Sequence, residues 1–437
     1  MKLYQNIFLL FYRIIFMPLA IIFIFIFILP FSKKIQKSLL LRKNEKLPEP
    51  LQQKPIWIHA SSGEFEYAKP VISAIKKWQP DIPIVVTYFS PSYAEQIKKF
   101  SGVDFSLPLP LDLPNPINQF IRKINPQMLL VARTDLWPEM LLAVKKNKIP
   151  SLLFSTTFRS IAKFRCIKKI YYNLLFNQFT NIFAVSELDS HNIKETNTNT
   201  LVTVYGDTRY DQVILRLKNS HTLNENILQN VRCPIFVAGS TWPEDEEVIL
   251  PALDSLLKSE KIKLILAPHE PSIAHLKKIE KVLRKLDISF EYYSKATVLK
   301  SNVLIIDKTG ILAELYTKAQ IAFVGGSFKN KVHSVMEPLA AGLLTFVGPK
   351  HTNNREAIIF QKILTPMKLA AVTCVQNAKD LRYNVEQILS QEDLTKSHFF
   401  IKSEISKCSG GTAHVLAWAK KYYNISRKNS LTGGEYW

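Results

Sequence analysis

Residues 56–64 read IWIHASSGE, a short apolar run that ends in small residues and is followed by the carboxylate of Glu64. Such a run predicts a buried β-strand that stops at a turn and leads into a helix. Stretches with helical spacing, such as 65–78 and 136–146, alternate with further apolar runs at 84–89, 128–132, 151–154, 181–185 and 201–205. This alternation predicts parallel strands joined by crossover helices.

The alternation pauses over the polar residues 217–231 and then begins again. Its second series has apolar runs at 235–238, 263–267, 289–292, 303–306, 321–324, 344–347 and 370–375. A chain of 437 residues is long enough for two such domains. We therefore predict two doubly wound α/β domains, at 47–217 and 218–410. An N-terminal element precedes them at 1–46, and a C-terminal helix and tail follow at 411–437, with the helix returning toward the first domain.

The N-terminal element has the composition of a membrane anchor. Residues 7–29 are apolar except for Arg13 and Pro18, which is close to the roughly 20 residues that span a bilayer. Positive charge follows the apolar stretch, at Lys33, Lys34, Lys37, Arg42, Lys43 and Lys46. Because such charge is retained on the cytoplasmic side, the body of the protein is predicted to be cytoplasmic. We expect the anchor either to span the membrane or to lie in its interface, and no cleavage site of a signal peptide follows it.

The composition and the absence of several motifs disfavour some classes of protein. The net charge of +21 favours partners such as nucleic acid, anionic lipid headgroups or phosphorylated substrates. The four cysteines are far apart, which argues against a zinc knuckle, a redox motif or a disulfide framework. The glycines form no G-x-G-x-x-G, no P-loop and no G-x-S-x-G motif, and no H-E-x-x-H is present. Dinucleotide oxidoreductases, P-loop NTPases, serine hydrolases and zincins are therefore disfavoured, and neither a metal nor a cofactor is predicted.

Polar residues at predicted strand ends are the candidates for a site. Glu64 and Asp135 each follow a strand, at the sheet edge where open α/β sheets bind ligands. Glu64 is our candidate for a general base that takes a proton from an acceptor hydroxyl, and Asp135 is a candidate for positioning. The strand ends 237–241 and 323–327 lead toward helix starts, whose backbone N–H groups can receive a phosphate. Glu337 can accept hydrogen bonds from ribose hydroxyls. Each motif alone also fits ordinary turn or capping chemistry.

In this order, these elements resemble the 3-deoxy-D-manno-octulosonic acid (Kdo) transferases of lipopolysaccharide synthesis. The resemblance covers nearly the whole chain. It is carried by the N-terminal anchor and by WIHASSGE at 57–64, LPLDLP at 109–114, TDLWP at 134–138, GDTRYD at 206–211, AGSTWPEDEE at 238–247, FVGGS at 323–327, HSVMEP at 333–338 and GPKHTNNRE at 348–356.

The resemblance implies a membrane-associated glycosyltransferase of the GT-B fold, with two Rossmann-like domains facing a cleft, at the cytoplasmic face of the inner membrane. It implies inverting transfer of Kdo from CMP-Kdo to a lipid A precursor (lipid IVA), without a metal. The partners would be these two substrates and an anionic membrane surface, and not nucleic acid.

The resemblance also assigns residues. Glu64 matches the general base, with Ser62, Gly63 and Asp135 on the acceptor side. His269 stands where the family commonly has arginine. The predicted donor site comprises Arg209, Ser240, Thr241, His269, Gly326, Ser327, His333, Ser334, Glu337, Asn353 and Glu356.

Two alternatives remain at this point. One is another membrane-associated GT-B enzyme, a glycosyltransferase or an epimerase, that uses a UDP-sugar, because residue spacing does not separate cytidine from uridine. The other is a non-enzymatic anchored protein that binds anionic lipid or nucleic acid through its positive charge. Two successive α/β series with a carboxylate at a strand end favour the enzyme.

Overall fold

Two seven-stranded parallel sheets organise the chain. The computed structural model describes residues 7, 9–28, 30–44, 53–160, 165–218, 225–391 and 393–431. The first compact unit contains Met1–Gln212 and Ser409–Trp437, and the second contains Val213–Cys408. The described residues do not include Lys46, the start of the predicted first domain (47–52), part of the polar stretch between the two series (219–224) or the end of the tail (432–437).

The first sheet has the strand order β3-β2-β1-β4-β5-β6-β7, so β1 pairs with both β2 and β4. Its strands are β1 Ile56–His59, β2 Ile84–Tyr88, β3 Phe105–Pro108, β4 Met128–Ala132, β5 Ser151–Thr156, β6 Asn181–Ala184 and β7 Leu201–Val204. The chain order reverses between β1 and β4. In open α/β sheets, ligands bind at the carboxyl ends of strands beside such a reversal.

The helices of this unit precede or follow its strands, and those that pack against the sheet cover both of its faces. They are α1 Met17–Phe23, α2 Lys33–Asn44, α3 Phe65–Trp78, α4 Ala94–Lys98, α5 Pro114–Ile124, α6 Pro138–Lys146, α7 Arg165–Phe176, α8 Glu187–Lys194 and α9 Thr208–Lys218. Proline stands at the first position of α5 and α6, where its fixed φ and missing N–H cost nothing. One face of α3 buries Phe65, Ala68, Val71, Ile72 and Ile75 in the core.

The second unit repeats the architecture, with the strand order β10-β11-β9-β8-β12-β13-β14. Its strands are β8 Ile235–Thr241, β9 Lys263–Pro268, β10 Phe290–Tyr292, β11 Val303–Ile305, β12 Ile321–Val324, β13 Leu344–Val347 and β14 Val372–Cys374. Its helices are α10 Pro243–Lys258, α11 Ile273–Lys285, α12 Leu312–Thr317, α13 Met336–Ala340, α14 Arg355–Phe360, α15 Ala378–Leu389 and α16 Thr395–Lys407, while α17 Gly411–Leu431 belongs to the first unit.

The N-terminal segment is helical, with π-helical stretches at Tyr12–Phe16 and Ile24–Ile28 on either side of α1. Across the part of the chain that the structure describes, no helix is both long enough and apolar enough to cross a membrane. The predicted spanning anchor is therefore not found among those residues. The segment nevertheless exposes large apolar side chains, namely Leu19, Ile22, Phe23, Ile26 and Phe27.

Arg13, which interrupts the apolar sequence, has a structural partner. Its Nε lies 2.7 Å from Oε1 of Glu139, and its Nη2 lies 2.8 Å from Oε2. Glu139 is buried at the start of α6. The bidentate pair therefore ties the N-terminal segment to the rest of the first unit.

Candidate active site

Glu64 lies at the carboxyl end of the first sheet. Strand β1 ends at His59, and after a short loop Glu64 immediately precedes α3. Its Oε2 accepts the N–H of Ser62 at 3.0 Å, so the carboxylate folds back over its own loop. The side chain is half-buried. This places an accessible carboxylate beside the β1–β4 reversal.

Asp135 holds the loop that carries Glu64. Its Oδ2 accepts the N–H of Ser61 at 3.1 Å and lies 2.8 Å from Nε2 of His59. Its Oδ1 accepts the indole N–H of Trp137 at 3.0 Å. The carboxylate therefore joins the end of β4 to the loop that follows β1.

The imidazole ring of His59 is held in place by its own contacts. Its ring is fully buried, and Nδ1 lies 2.8 Å from the hydroxyl of Thr87. That hydroxyl accepts the indole N–H of Trp57 at 2.8 Å. The contacts from Trp57 to Thr87 and from Thr87 to His59 thus fix the orientation of the imidazole ring, whose Nε2 contacts Asp135.

The electrostatics of Asp135 favour positioning over proton transfer. Burial acts to raise the pKa of this carboxyl, but His59 and the side chains of Ser61 and Trp137 together outweigh burial and lower it. A carboxylate with a lowered pKa is a weak proton acceptor at neutral pH. Asp135 is therefore better suited to positioning than to proton transfer.

Arg209 was predicted among the donor-binding residues, and the structure places it in the first unit. Its Nη1 lies 3.4 Å from the hydroxyl of Tyr67 in α3. Its backbone N–H is donated to Oδ1 of Asp207 at 2.9 Å. This arginine accordingly belongs to the same unit as Glu64.

In the second unit, Asp245 organises the strand ends. This residue is fully buried near the start of α10, and it accepts the N–H groups of Trp242 at 2.9 Å, Gly326 at 2.7 Å and Phe328 at 3.1 Å. Burial raises its pKa despite these three bonds. The expectation of free N–H groups is therefore wrong for Gly326, whose N–H is already donated.

Two predicted hydroxyl ligands make internal hydrogen bonds. Ser327 is fully buried, donates to the carbonyl of Val324 at 3.2 Å and accepts the N–H of Gly348 at 2.6 Å. Thr241 is also fully buried and donates to Glu246 at 2.8 Å. Both hydroxyls connect neighbouring loops. Ser240, between β8 and α10, has a left-handed backbone with φ of 55°.

His333 and His269 form an aromatic group with Trp242. The two imidazoles stack with centroids 4.3 Å apart, and Trp242 lies 5.0 Å from His269. The Trp242 indole donates to Nε2 of His333 at 3.2 Å. Burial, with smaller contributions from His269 and Lys331, lowers the pKa of His333 to about 4. A neutral His333 therefore carries its proton on Nδ1 at physiological pH.

Lys329 adds a cation to this group. Its Nζ lies 3.4 Å from the centroid of the Trp242 ring. The face of the Trp242 ring attracts this ammonium group, and Lys329 lies in the loop after β12. It brings a positive charge to Trp242, whose ring in turn lies 5.0 Å from that of His269.

The remaining predicted donor residues lie around α13 and α14. Glu337 is paired with Arg216, with 2.7 Å between Oε1 and Nη1. Ser334 accepts the N–H of Met336 at 3.4 Å, and Asn353 donates to the carbonyl of Val332 at 3.5 Å. Glu356 is half-buried in the first turn of α14.

Sequence reasoning missed several residues of these sites, namely His59, Arg216, Asp245, Lys329 and Asn354. Asn354 caps α14 through the N–H of Ala357 and donates to the carbonyl of His333 at 2.9 Å. Asp245 could have been found, because an acidic residue three positions after Trp242 is a helix-start signal. No group of three potential metal ligands from histidine, cysteine, aspartate or glutamate occurs within the described ranges.

Comparisons with solved structures identify the fold. The UDP-GlcNAc 2-epimerase from Neisseria meningitidis, solved with bound UDP-GlcNAc, matches with a TM-score of 0.57 and 14% identity over 84% of this chain and 100% of that one. A glycosyltransferase from Rickettsia africae matches with a TM-score of 0.50 and 14% identity over 86% of this chain and 99% of that one. Together with the two parallel sheets, these similarities define a two-domain α/β protein of the GT-B type.

Comparisons of sequence identify the family. The family model described as 3-Deoxy-D-manno-octulosonic-acid transferase (kdotransferase) matches residues 34–212. The 3-deoxy-D-manno-octulosonic acid transferase of Aquifex aeolicus is 30% identical over 67% of this chain and 76% of its own length. The transferase of the same name from Haemophilus influenzae is 28% identical over 77% of this chain and 80% of its own length. The chain belongs to the Kdo transferase family and is a glycosyltransferase.

Proposed function

We propose that this protein transfers Kdo from CMP-Kdo to a lipid A precursor in lipopolysaccharide synthesis, with inversion at the anomeric carbon. The observation that carries the proposal is the geometry of Glu64 in a chain of this family. Its carboxylate is half-buried at the carboxyl end of β1, on a loop that Asp135 fixes through Ser61.

In the proposed step, Glu64 takes the proton of the acceptor hydroxyl. The hydroxyl oxygen forms a bond to the anomeric carbon of Kdo, while the bond from that carbon to the phosphate of CMP breaks. The electron pair leaves with the phosphate, and CMP is released. A single displacement inverts the anomeric centre, and a positioned base is typically worth about 10²–10⁴-fold in rate.

The second unit supplies the proposed donor site. Lys329 places a positive charge against the ring of Trp242, the residue that follows β8, and this charge is proposed to stabilise the departing phosphate. Nδ1–H of the neutral His333 adds a hydrogen-bond donor. Glu337, held by Arg216, is proposed to accept a hydrogen bond from a ribose hydroxyl.

The N-terminal segment is proposed to hold the protein on the cytoplasmic face of the inner membrane, in the plane of the interface. The exposed apolar side chains around α1 would enter the lipid, and the basic α2 would face anionic headgroups. Arg42 fixes α2 to the body by donating to the carbonyl of Leu109 at 2.9 Å. Cosedimentation with anionic vesicles, but not with neutral ones at equal lipid concentration, is the expected result. Equal pelleting with both, or with neither, would contradict it.

A transfer assay tests the proposed reaction. Purified protein is incubated with CMP-Kdo and a tetra-acylated lipid A precursor in the presence of a chelator, and the products are weighed by mass spectrometry. We expect the mass of Kdo to be added to the lipid. Transfer from a UDP-sugar instead, or no transfer by protein shown to be folded, would refute the proposal.

A further inference from the structure

Two arginines of the first unit share one aromatic ring close to Glu64. The guanidinium carbon of Arg133 lies 4.8 Å from the centroid of the Tyr67 ring, and that of Arg209 lies 5.7 Å from it. Tyr67 stands three positions after Glu64, at the start of α3. Residues three apart lie on the same side of a helix, so Tyr67, whose ring both guanidinium groups contact, lies one turn from the candidate base.

The electrostatics of two neighbouring phenols support this closeness. Burial and Asp207 raise the pKa of Tyr67, while Arg133 and Arg209 both act to lower it. The pKa of Tyr93 is raised, chiefly by burial and Glu66, and it responds to both Arg209 and Glu64. Arg209 and Glu64 therefore act on the same group, as expected of charges in one site.

The carboxylate that faces Arg133 is that of Asp207, 3.9 Å from Nη1. Asp207 is only 2% exposed, so this carboxylate is shielded from solvent. An anionic substrate approaching Glu64 would be repelled by that carboxylate. Two guanidinium groups beside it offset this repulsion and offer planar, forked donors that match a carboxylate or a phosphate.

The backbone conformation of Arg133 is also consistent with a functional role. Its φ is 65°, in the left-handed region that favours glycine, although its N–H still bonds to the carbonyl of Phe154 at 2.9 Å. Strained backbone of this kind persists where the surrounding structure holds it, and it concentrates at functional sites. Here the turn after β4 presents a guanidinium to Tyr67, at a position where glycine would satisfy the backbone more easily.

We propose that Arg133 and Arg209 form a receptor for an anionic group of a substrate, placed beside Glu64. The group is either the carboxylate of the transferred sugar acid or a phosphate of the lipid acceptor. The inference rests on the proposed function for the identity of these substrates. In both cases the receptor orients the substrate next to the base.

The test compares Arg133→Gly and Arg209→Gln with Arg122→Ala. Glycine removes the guanidinium of Arg133 and suits the left-handed backbone, so folding is preserved. Arg122 is an exposed arginine of α5, and its loss changes the net charge equally. Loss of a charge-assisted contact predicts a KM about 10- to 100-fold higher for the substrate that carries the anion, with a smaller change in kcat.

Two acceptors distinguish the sources of the anion, one phosphorylated and one enzymatically dephosphorylated. A rise in donor KM that is equal with both acceptors identifies the sugar-acid carboxylate. A rise in acceptor KM that disappears with the dephosphorylated acceptor identifies the phosphate. KM values matching those of Arg122→Ala, or a loss confined to kcat, would overturn the inference.

Direct titrations keep this inference separate from the proposed function. Binding of free Kdo and of acceptor micelles is measured for the wild type and for Arg133→Gly. Weaker binding of one of them by the variant supports the receptor even if the wild type shows no transfer, whereas equal binding of both refutes it.

Discussion

Glu64 and Asp135 lie at the ends of two paired strands, and their surroundings give them different chemistry. Glu64 accepts a hydrogen bond from the N–H of Ser62, while Asp135 is contacted by His59, Ser61 and Trp137. The carboxylate of Asp135 therefore has a structural role. The carboxylate of Glu64 is the candidate for exchanging a proton with a substrate.

Asp135→Asn is expected to disturb the loop that carries Glu64. An amide has one acceptor oxygen. In one orientation the Trp137 indole loses its acceptor, and in the other both the N–H of Ser61 and the ring of His59 lose theirs. We predict that kcat falls by about 10-fold or more, because small misplacements of reacting groups are costly. The free energy of unfolding should fall by about 1–3 kcal/mol. Steady-state kinetics and urea unfolding measure both.

Asp81→Asn is the matched control, because Asp81 is exposed and follows α3 in the same unit. It should leave both quantities unchanged. Wild-type turnover in Asp135→Asn would show that the hydrogen bonds of this carboxylate do not position the site.

At the residue scale, the sequence could indicate Glu64 and Asp135 because each lies a few positions after an apolar run. It could not indicate His59 as a partner of Asp135, since the histidine reads as the last residue of a buried strand. Asp245 reaches Gly326 across 81 positions of sequence. Contacts at such separations depend on which strands are neighbours, and residue spacing does not report this.

Among the elements, the loop after β12 depends on Gly326. Its φ is 88°, and a Cβ there would lie 2.4 Å from the carbonyl oxygen of Lys331 and 3.0 Å from Cδ2 of His333. Gly326→Ala should therefore displace the loop that carries Lys329 and His333. We predict weaker CMP binding in a direct titration and a loss of about 1–3 kcal/mol of stability.

Gly310 offers a matched control for this substitution. Its φ is 96°, and a Cβ there would meet nothing within 4 Å. Gly310→Ala therefore adds a similar backbone strain without the collision. If both variants bind CMP with wild-type affinity, the loop geometry does not serve the donor.

The N-terminal segment is docked through a buried acid. Asp112 accepts the N–H groups of Glu139 and Met140 and the hydroxyl of Tyr12 at 3.1 Å. Burial is the main reason that its pKa is raised from 3.8 to about 6. The stability that this group contributes is therefore fully present below the unfolded pKa and is lost as the pH rises through about 6.

Asp112→Asn should remove this pH dependence. We expect the difference in unfolding free energy between wild type and variant to change from pH 4 to pH 7, by on the order of a few kcal/mol. Urea unfolding across that range measures it. A difference that does not vary with pH would contradict the assignment.

The sequence predicted most elements because their apolar runs are continuous. Strands β4, β12 and β13 have the predicted bounds, as does α3. Strand β3 was missed, because FSLP is short, partly exposed and ends in proline. It is visible only through its pairing with β2, which places it at the edge of the sheet.

At the scale of the whole molecule, the chain returns to its first unit at the C-terminus. Helix α17 buries Val415, Trp418, Ala419 and Tyr423 in the core that also contains β1 residues. Its N-terminus is fixed by Asp211, which accepts the N–H groups of Gly410 and Thr412 at 2.6 and 2.7 Å. The first unit is therefore incomplete without the end of the chain.

Trp418→Ala should accordingly destabilise the first unit alone. The side chain is buried and its indole N–H donates to Asn181 at 2.8 Å, so a loss of about 3–5 kcal/mol is expected. Hydrogen exchange followed by residue range should show faster opening in 53–212 and unchanged protection in 225–407. The exposed Lys421→Ala should change neither range, and a loss shared equally by both would contradict this division.

The sequence indicated two α/β series because the alternation stops and restarts. It could not indicate the boundary at Gln212, which falls inside α9, since no change in composition marks it. Hydropathy favoured a spanning or in-plane anchor, and the described residues contain no helix that could span a membrane. Arg13, which looked like an interruption, is explained by Glu139, a partner 126 positions away.

The most direct test of the account is the turnover of Glu64→Gln beside that of Glu66→Gln. Glu66 lies two residues on, in the first turn of α3, and pairs with Lys69. With CMP-Kdo and the lipid A precursor, Glu64→Gln is predicted to lose about 10²–10⁴-fold in kcat while binding CMP as the wild type does. Glu66→Gln should keep most of its turnover. Full turnover in Glu64→Gln would contradict the assignment of Glu64 as the base.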